Sequence, residues 1–314
     1  APSTSPNLFG VAEVSREMNS IIGDIRDLAS LQNAITTSQP QIIFHLAAQA
    51  LVSEGYSDPL GTFATNVQGT ANLLECVRNT KDIQAVVVVT SDKCYDNKEW
   101  PWPYRENEPL GGRDPYSSSK ACAELVTAAY RDAYLASAGV AIATARAGNV
   151  FGGGDWSANR LVPDLLAAFS KNQAAQLRRP NAIRPWQHVL EPLAGYLILA
   201  EKLCADAKHS RAWNFGPGEE ACLPAGEIAN QLSNLWGENA GWQATESDFP
   251  HEAGSLRLDS SLARMQLGWQ ARWSLSAALS ATIFWHKSWL TVTNMRECTL
   301  QQIEQYSANE QPKQ

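Results

Sequence analysis

The sequence predicts an α/β protein: a doubly wound parallel sheet of Rossmann-like type, followed by a smaller, mostly helical substrate-binding domain. Short apolar runs rich in β-branched residues alternate with amphipathic stretches of helical length. Strands and helices that alternate in this way form βαβ units and therefore a parallel sheet. After about residue 150, glycine, proline and tryptophan become more frequent and helical patterns dominate, which predicts the second domain.

The individual elements follow from these patterns. The runs that predict strands are 41–48, 85–91, 139–147 and 212–216. The stretches that predict helices are 27–38, 62–80, 117–137, 162–172, 190–207, 225–237 and 274–290. We assign the sheet domain to residues 1–148 with about 186–216, the second domain to 149–185 and 217–300, and a polar tail to 302–314.

Composition argues against several classes of function. The chain has 314 residues, of which 44% are hydrophobic and 18% charged, an ordinary globular balance. A net charge of −7 without a basic stripe argues against binding to nucleic acid. No apolar run approaches the ~20 residues of a membrane span. The six cysteines form no CxxC pair, so we expect reduced thiols in a cytoplasmic protein and no metal site.

Polar residues follow the second predicted strand at the point where its apolar run ends. The run Ala85–Val89 is followed directly by Thr90, Ser91, Asp92 and Lys93. Ligands of doubly wound sheets bind outside the carboxyl ends of the strands, so this position predicts a functional site. A polar loop that merely caps a helix is the alternative that the strand by itself leaves open.

A second motif, DPYSSSK at 114–120, favours the functional interpretation. Tyr116 and Lys120 are four residues apart at the start of a predicted helix, so their side chains project from one face. An ammonium group favours the charged form of a neighbouring phenol, and we therefore expect a lowered pKa at Tyr116. Such a pair can act as the general base for an alcohol proton.

With these motifs the chain resembles the extended short-chain dehydrogenase/reductase superfamily, whose members oxidise sugar hydroxyls with NAD. The matching blocks, besides TSD and YSSSK, are 23–27, 44–49, 65–75, 146–156 and 213–218. Three further blocks are similar to the CDP-glucose 4,6-dehydratases: TSDKCYDN, RPWQHVLEP (184–192) and HEAGSLRLD (251–259). The resemblance covers roughly residues 5 to 290.

The resemblance implies a hydro-lyase that dehydrates CDP-D-glucose to CDP-4-dehydro-6-deoxy-D-glucose and regenerates its NAD in each cycle. Such a reaction belongs to deoxysugar biosynthesis of the O-antigen or lipopolysaccharide type. The alternatives are another nucleotide-sugar dehydratase or epimerase of the superfamily, and a non-catalytic nucleotide-binding relative. Asp92 and Lys93 count against an epimerase, and an intact set of Ser91, Tyr116 and Lys120 counts against a non-catalytic protein.

The resemblance also implies catalytic roles. Tyr116 with Lys120 would take the proton of the 4-hydroxyl group, while Ser91 would hydrogen-bond the 4-oxygen. Asp92 would protonate the departing 6-hydroxyl group, which requires a pKa raised by burial. Lys93 stands where many related dehydratases have glutamate. As a neutral amine it would take the C5 proton, and as a cation it would stabilise the enolate oxygen or the leaving hydroxide; we favour the base.

The remaining implied contacts are with NAD and with the nucleotide sugar. The NAD contacts are Asp24 and Ile25 near the adenine, Leu46, Ala47 and Ala48 as a backbone wall, and Asn66 as a support for the nicotinamide half. The contacts with the nucleotide sugar are Tyr95, Asn149, Arg160, Arg184 and His188, with Arg184 on the diphosphate. His45 and His286 are interpreted as structural, and His251 and Glu252 are assigned to the substrate domain.

The sequence departs from the superfamily pattern at two places. The glycine-rich phosphate loop is not found, since Gly152–Gly154 follows a late strand. We expect the first strand, the loop, a helix and the second strand upstream of Ala1, and poor NAD binding by a chain that begins there. At the second place, Ser53 replaces an arginine that is usual in similar enzymes.

Helices 62–80 and 117–137 suggest a homodimer or a dimer-based homo-oligomer, because similar enzymes often pair through these helices. Their apolar faces could equally pack on the sheet.

Overall fold

The computed structural model describes residues 4–237, 239–245 and 253–308. The strands are β1 (Ile42–His45), β2 (Ala85–Val89), β3 (Ala141–Ala147), β4 (Asn149–Phe151), β5 (Ala175–Leu177), β6 (Ile183–His188), β7 (Ala212–Phe215), β8 (Cys222–Pro224) and β9 (Trp242–Ala244). The helices are α1 (Leu8–Val11), α2 (Leu28–Ser38), α3 (Val52–Ser57), α4 (Pro59–Phe63), α5 (Gly69–Arg78), α6 (Pro115–Tyr130), α7 (Leu161–Phe169), α8 (Leu190–Ala205), α9 (Ala225–Trp236), α10 (Ser261–Leu267), α11 (Leu275–Leu290) and α12 (Met295–Ser307). His251 and Glu252 lie outside the described residues.

The main sheet is parallel and has the strand order β1-β2-β3-β7. Its strand β2 is buried on both faces, because successive side chains of a strand point to opposite sides. Val87 packs in a cluster with Leu199 of α8, whereas Val86 packs in another with Leu74 of α5. Helices therefore cover both faces of the sheet, and the predicted doubly wound fold is confirmed.

A second core lies beyond β3. Helices α7, α9 and α11 pack around it through residues such as Leu165, Ile228 and Leu279. Two small sheets, with the orders β4-β6-β8 and β5-β9, complete this region. The predicted strands and helices are all present with ends shifted by a few residues, but the short strands of the small sheets were not predicted.

Three boundaries drawn from the sequence are wrong. Residues 302–307 of the expected tail belong to α12, in which Gln302 Nε2 donates to the Ala281 carbonyl at 2.8 Å and the Tyr306 hydroxyl donates to Glu191 at 2.7 Å. Residues 186–188 belong to β6, which pairs with β4 and β8 and not with the main sheet. The third boundary is at the start of the chain. Leu8 of α1, which we assigned to the sheet domain, packs against the cluster that contains Trp285 of α11.

In the three described ranges, none of the helices is long and apolar enough to span a bilayer.

Candidate active site

A cavity of about 450 Å³ lies at the carboxyl ends of the main-sheet strands. The segments that follow β1, β2 and β3 line one side of it, as the topology of a doubly wound sheet requires. Residues 159–164 and 176–179 of the second region line the other side. The cavity is therefore bounded by the main sheet and by the second core.

The residues after β2 form a single tight turn. Ser91 caps this turn: its Oγ accepts from the backbone N–H of Lys93 at 3.2 Å and donates to Asp92 Oδ1 at 3.1 Å. The turn continues to Cys94. Ser91, Asp92 and Lys93 all line the cavity, so the predicted cluster lies in one site.

Asp92 has the properties expected of an acid. Its side chain is 2% exposed, and its Oδ2 atom has no hydrogen-bond partner among the described residues. Burial raises the pKa of Asp92, and the charges of Lys93 and Arg184 only partly oppose this. The expected direction of the shift is confirmed. A carboxyl group that holds its proton can donate it to a leaving group in the cavity.

Tyr116 and Lys120 lie on one face of α6. Asp114 caps this helix by accepting from the backbone N–H of Ser117 at 3.0 Å. The phenol of Tyr116 is hydrogen-bonded to the side chain of Ser91 and lines the cavity. Lys120 is buried, and its Nζ donates to the Val89 carbonyl at 3.3 Å. Both side chains therefore meet the end of β2.

The expected lowering of the Tyr116 pKa is wrong for the protein alone. Burial raises the pKa of Tyr116 to about 12, and the hydrogen bond with Ser91 and the charge of Arg160 only partly offset it. Burial also lowers the pKa of Lys120 to about 8. The cost of holding a charge in the buried site outweighs the attraction between the Lys120 ammonium and the Tyr116 phenolate.

A buried ion pair, Glu124 with Arg146, lies next to this cluster and was missed in the sequence. Arg146 donates from Nε and Nη2 to the two carboxylate oxygens of Glu124, at 2.8 and 2.9 Å. Despite burial, Arg146 holds the pKa of Glu124 below its usual range. The available signals were the position of Glu124 eight residues after Tyr116 and an arginine within the apolar strand β3.

Three of the residues assigned to the nucleotide sugar line the cavity: Asn149, Arg160 and Arg184. Arg160 forms an ion pair with Asp155 at 3.8 Å. Arg184 is 4% exposed, and its Nη2 donates to the Ala253 carbonyl at 2.6 Å. Its guanidinium group is thus held in place at the wall of the cavity.

Tyr95 and His188, also assigned to the nucleotide sugar, do not line this cavity. Tyr95 lines a smaller cavity that shares Lys93 and Arg184 with it, so contacts of these two residues with the nucleotide sugar stay predictions. The Tyr95 hydroxyl donates to Asn214 Oδ1 at 2.7 Å and accepts from Arg146 Nη1 at 2.8 Å. His188 packs against Trp273, with ring centres 4.9 Å apart, and burial lowers its pKa to about 3. Both belong to the core that supports the site.

Arg178 and Arg179 also line the cavity and were missed. They follow β5, whose partner β9 lies far along the chain, so the local pattern gave little indication of where they lie. The signal was the sequence RRP at the end of an alternating run. Ser53, the residue that departs from the superfamily, lies at the cavity as well.

The residues assigned to the nicotinamide side follow β1. Leu46 is 50% exposed and lines the cavity, and Ala47 is exposed beside it. Asn66 is buried: its Oδ1 accepts from the Gln49 N–H at 2.8 Å, and its Nδ2 donates to Ser119 Oγ at 2.8 Å. Asn66 therefore ties the segment after β1, which includes Ala48, to α6.

The residues assigned to the adenine lie at the start of α5. Asn72 Nδ2 donates to the Ile25 carbonyl at 3.0 Å, and a Cβ on Gly69 would lie 2.5 Å from the Ile25 side chain. Asp24 is exposed and pairs with Arg26 at 2.5 Å, and the hydrogen bonds from Arg26 lower its pKa to about 2. Neither Asp24 nor Ile25 lines the cavity.

The glycine run 152–154 is packed against side chains. A Cβ on Gly153 would lie 2.2 Å from the ring of Trp285, and one on Gly154 would lie 2.7 Å from Leu8. Gly154 also has a φ of +82°, which favours glycine. Close packing and a tight turn therefore explain these glycines. This agrees with the expectation that they do not form the phosphate loop.

The histidines interpreted as structural are both buried. His45 Nε2 lies 3.1 Å from Thr70 Oγ1, and burial lowers the pKa of His45 to about 4. His286 Nε2 lies 3.1 Å from Ser170 Oγ, and burial likewise lowers its pKa to about 4. Both interpretations are confirmed.

Comparisons with known proteins agree with the site. The family model described as GDP-mannose 4,6 dehydratase matches residues 6–282. A CDP-glucose 4,6-dehydratase of Salmonella typhimurium is 49% identical over 309 residues, which cover 96% of this chain and 86% of that protein. A dTDP-glucose 4,6-dehydratase of Streptomyces griseus is 27% identical, covering 85% of this chain and 78% of that protein.

Solved structures show the same fold. A dTDP-glucose 4,6-dehydratase from Streptomyces venezuelae, with NAD and DAU bound, has a TM-score of 0.76 at 22% identity, covering 88% of this chain and 82% of that chain. A UDP-glucuronic acid 4-epimerase from Bacillus cereus, in complex with UDP-glucuronic acid and NAD, has a TM-score of 0.78 at 19% identity, covering 90% and 85%. The fold is therefore common to dehydratases and epimerases, and the site must distinguish them.

Proposed function

The chain belongs to the nucleotide-sugar dehydratase family that the GDP-mannose 4,6 dehydratase model describes, and we propose that it dehydrates CDP-D-glucose to CDP-4-dehydro-6-deoxy-D-glucose with NAD as cofactor. The observation that carries this proposal is Asp92, a buried carboxyl group with a raised pKa, in one cavity with Ser91 and Tyr116. An epimerase has no leaving group to protonate and needs no such acid. The identity of 49% with a CDP-glucose 4,6-dehydratase supports the choice of nucleotide.

Oxidation at C4 needs a base and a group that orients the sugar. In the proposed mechanism Ser91 hydrogen-bonds the 4-oxygen of the sugar. Tyr116, the hydrogen-bond partner of Ser91, takes the proton of the 4-hydroxyl group. A phenol with a pKa of about 12 holds its proton at neutral pH, so the base must be activated when the site is assembled. The hydrogen bond with Ser91 and the charge of Arg160 already act in this direction.

Elimination of water needs an acid for the 6-hydroxyl group and a base for the C5 proton. Asp92 donates its proton to the 6-oxygen, which then leaves as water. Lys93, the next residue at the cavity wall, takes the C5 proton as a neutral amine. The C5–H and C6–O bonds are broken and a C5–C6 double bond forms, so no oxidant is needed for this step.

The residues around Tyr116 fit the nicotinamide half of NAD. Bound there, NAD would supply the acceptor for a hydride from C4 and the store from which C6 receives it. Tyr116 and Lys120 would hold its ribose side, and the exposed apolar surface of Leu46 and Ala47 suits a flat ring. Asn66 fixes the segment that carries this surface, and we place Asp24 and Ile25 on the adenine side.

The arginine side chains at the cavity suit a diphosphate. Four guanidinium groups line the cavity, those of Arg160, Arg178, Arg179 and Arg184. Planar guanidinium groups bind phosphate oxygens through two parallel hydrogen bonds. Asn149 lines the same cavity and would contact the sugar.

We also propose a homodimer that pairs through helices 62–80 and 117–137. Leu125 of α6 is 59% exposed and Tyr134 is 44% exposed, which supports this surface. Light scattering on the purified protein tests the proposal, and a monomeric mass contradicts it. The six free cysteines support a reducing, cytoplasmic compartment, in which the product would enter deoxysugar biosynthesis.

The activity is tested with the glucose derivatives of CDP, dTDP and UDP and with GDP-mannose, each with NAD. Mass spectrometry should show loss of one water from CDP-glucose at a higher rate than from the others. Tyr116→Phe serves as the inactive control, with its fold checked by circular dichroism. Absence of a 4-keto product from CDP-glucose would refute the proposal.

A further inference from the structure

The ion pair of Glu124 and Arg146 lies beneath the turn of residues 91–94, which is called the catalytic turn below. Both side chains are almost fully buried, with exposures of 4% and 3%. Glu124 accepts four hydrogen bonds: two from Arg146, one from the Thr90 hydroxyl at 2.5 Å and one from the Thr144 hydroxyl at 2.6 Å. Both of its oxygens are therefore saturated, and its position is fixed by β2, β3 and α6 together.

The same ion pair reaches both ends of the turn. Thr90 directly precedes Ser91, and its hydroxyl is bound to Glu124. Tyr95 directly follows Cys94, and its hydroxyl accepts from Arg146 Nη1 at 2.8 Å. The guanidinium group of Arg146 also lies over the Tyr95 ring, 4.8 Å from its centre. The residues Ser91 to Cys94 are thus held from either side by one rigid unit.

Glu124 also lies on the helix that carries the proposed base. Tyr116, Lys120 and Glu124 follow one another at intervals of four residues on α6, and so share a face. The carboxylate therefore links the helix of Tyr116 to the turn of Asp92. The distance and angle between base and acid depend on this link, because a hydrogen bond of this kind is strong and directional.

We propose that Thr90, through Glu124, is a positioning residue for the dehydration: it sets the catalytic turn relative to Tyr116. It acts on Ser91, Asp92 and Lys93 through the backbone and takes no part in proton transfer. This inference rests on the proposed function. It goes further by assigning a role in catalysis to a hydroxyl group that points away from the reacting atoms, toward a structural ion pair.

The chain offers a matched pair of variants, Thr90→Val and Thr144→Val. Each removes one buried hydroxyl bonded to Glu124, at 2.5 and 2.6 Å, and replaces it with a methyl group of similar size. Thr144 lies within β3 and is not attached to the turn. A purely structural role of the hydroxyls predicts equal effects of the two variants on stability and on activity.

We expect both variants to lower the melting temperature by similar amounts. Thr90→Val should lower kcat for CDP-glucose at least about tenfold with KM within about twofold, because small displacements of catalytic groups are costly. Thr144→Val should keep kcat within about twofold of the wild type. Thr90→Ser, which restores the hydroxyl, should recover most of kcat. Equal kcat in the two valine variants, a change confined to KM, or no recovery with serine would overturn the proposal.

A crystal structure of each valine variant gives a reading that does not depend on the substrate. The turn should be displaced relative to Tyr116 in Thr90→Val and unchanged in Thr144→Val; an unmoved turn in both contradicts the role. If the wild-type protein does not convert CDP-glucose, the proposed function fails, and these two structures still decide whether Thr90 holds the turn.

Discussion

Two carboxyl groups in the core of this protein, Asp92 and Glu124, are buried to the same degree and behave in opposite ways. Their side chains are 2% and 4% exposed, and burial by itself raises the pKa of both. Glu124 accepts four hydrogen bonds, and its partners hold its pKa low. Asp92 has an oxygen without a partner among the described residues, and its pKa stays high. Burial thus raises the pKa of Asp92, as its proposed role as an acid requires, whereas hydrogen bonds lower the pKa of Glu124.

The basic side chains beside these carboxyl groups, Lys93 and Arg146, also differ in their surroundings. Arg146 is buried, and its guanidinium group donates hydrogen bonds to Glu124, to the Tyr95 hydroxyl and to the Glu106 carbonyl. Lys93 lies at the cavity wall, where it can meet a substrate. Asp92 and Lys93 therefore line the cavity, whereas Glu124 and Arg146 are buried and bonded to one another.

The largest effect is expected from Asp92→Asn. Loss of the acid should lower kcat by about 10² to 10⁴-fold, the usual contribution of a general acid. The variant should be at least as stable as the wild type at neutral pH, since it removes a buried group that resists ionisation. Turnover assays and urea unfolding measure the two quantities. Substantial activity in a folded Asp92→Asn variant would show that another group is the acid.

The next effect concerns Lys93→Ala, which separates oxidation from elimination. Without the base for C5, entry of solvent deuterium at C5 should stop, whereas oxidation at C4, followed by nicotinamide absorbance, should continue. Mass spectrometry of the recovered sugar nucleotide measures the exchange. Exchange at the wild-type rate in this variant would assign the base role to another group and leave Lys93 as a cation.

Glu124→Gln should act on the fold. It leaves the buried charge of Arg146 without its counter-ion, and breaking a buried pair in this way costs about 3–5 kcal/mol of stability. Urea unfolding measures the loss. The exposed Glu201 of α8 provides the control, since Glu201→Gln should change the stability by less than about 0.5 kcal/mol. Equal stability of the two variants would contradict an anchoring role.

The smallest effect is a difference in pH dependence. The folded-state pKa of Asp92 is raised, so its contribution to stability is present below the unfolded pKa of about 3.9 and is lost as pH rises through the folded pKa. The folded-state pKa of Glu124 is lowered, so its contribution is present above about 4.3 and is lost as pH falls through the folded pKa.

The stability advantage of Asp92→Asn over the wild type should therefore grow as pH rises. The stability deficit of Glu124→Gln should shrink as pH falls below about 4. Unfolding free energies of the three proteins across this range provide the measurement. Parallel pH curves for the two variants would show that the two carboxyl groups do not differ in the way described.

The sequence was sufficient for the main sheet and for the polar cluster because both depend on local pattern. An apolar run that ends in Ser91 and Asp92 predicts a strand end and a site from neighbouring residues alone. It could not predict the environment of Tyr95 and His188, since Arg146 and Trp273 meet these side chains from distant parts of the chain. Nor could it predict the positions of Arg178 and Arg179, which depend on pairing between β5 and β9.

The same reason explains the incorrect pKa of Tyr116. The spacing of Tyr116 and Lys120 shows which residues share a helix face, but not how much water remains around them. In the folded protein burial acts on both groups, raising the pKa of the phenol and lowering that of the amine. Charge attraction can be estimated from a motif, whereas desolvation depends on the whole fold.

In the proposed reaction, CDP-glucose is oxidised at C4, loses water across C5 and C6, and receives the hydrogen from C4 at C6, all in one cavity. Conversion of CDP-glucose that carries deuterium at C4 tests it most directly, with the product analysed by NMR. Transfer of the C4 hydride to C6 should give a 4-keto product with the deuterium in its C6 methyl group. Recovery of a 4-epimer, or of a 4-keto product without deuterium at C6, would contradict it.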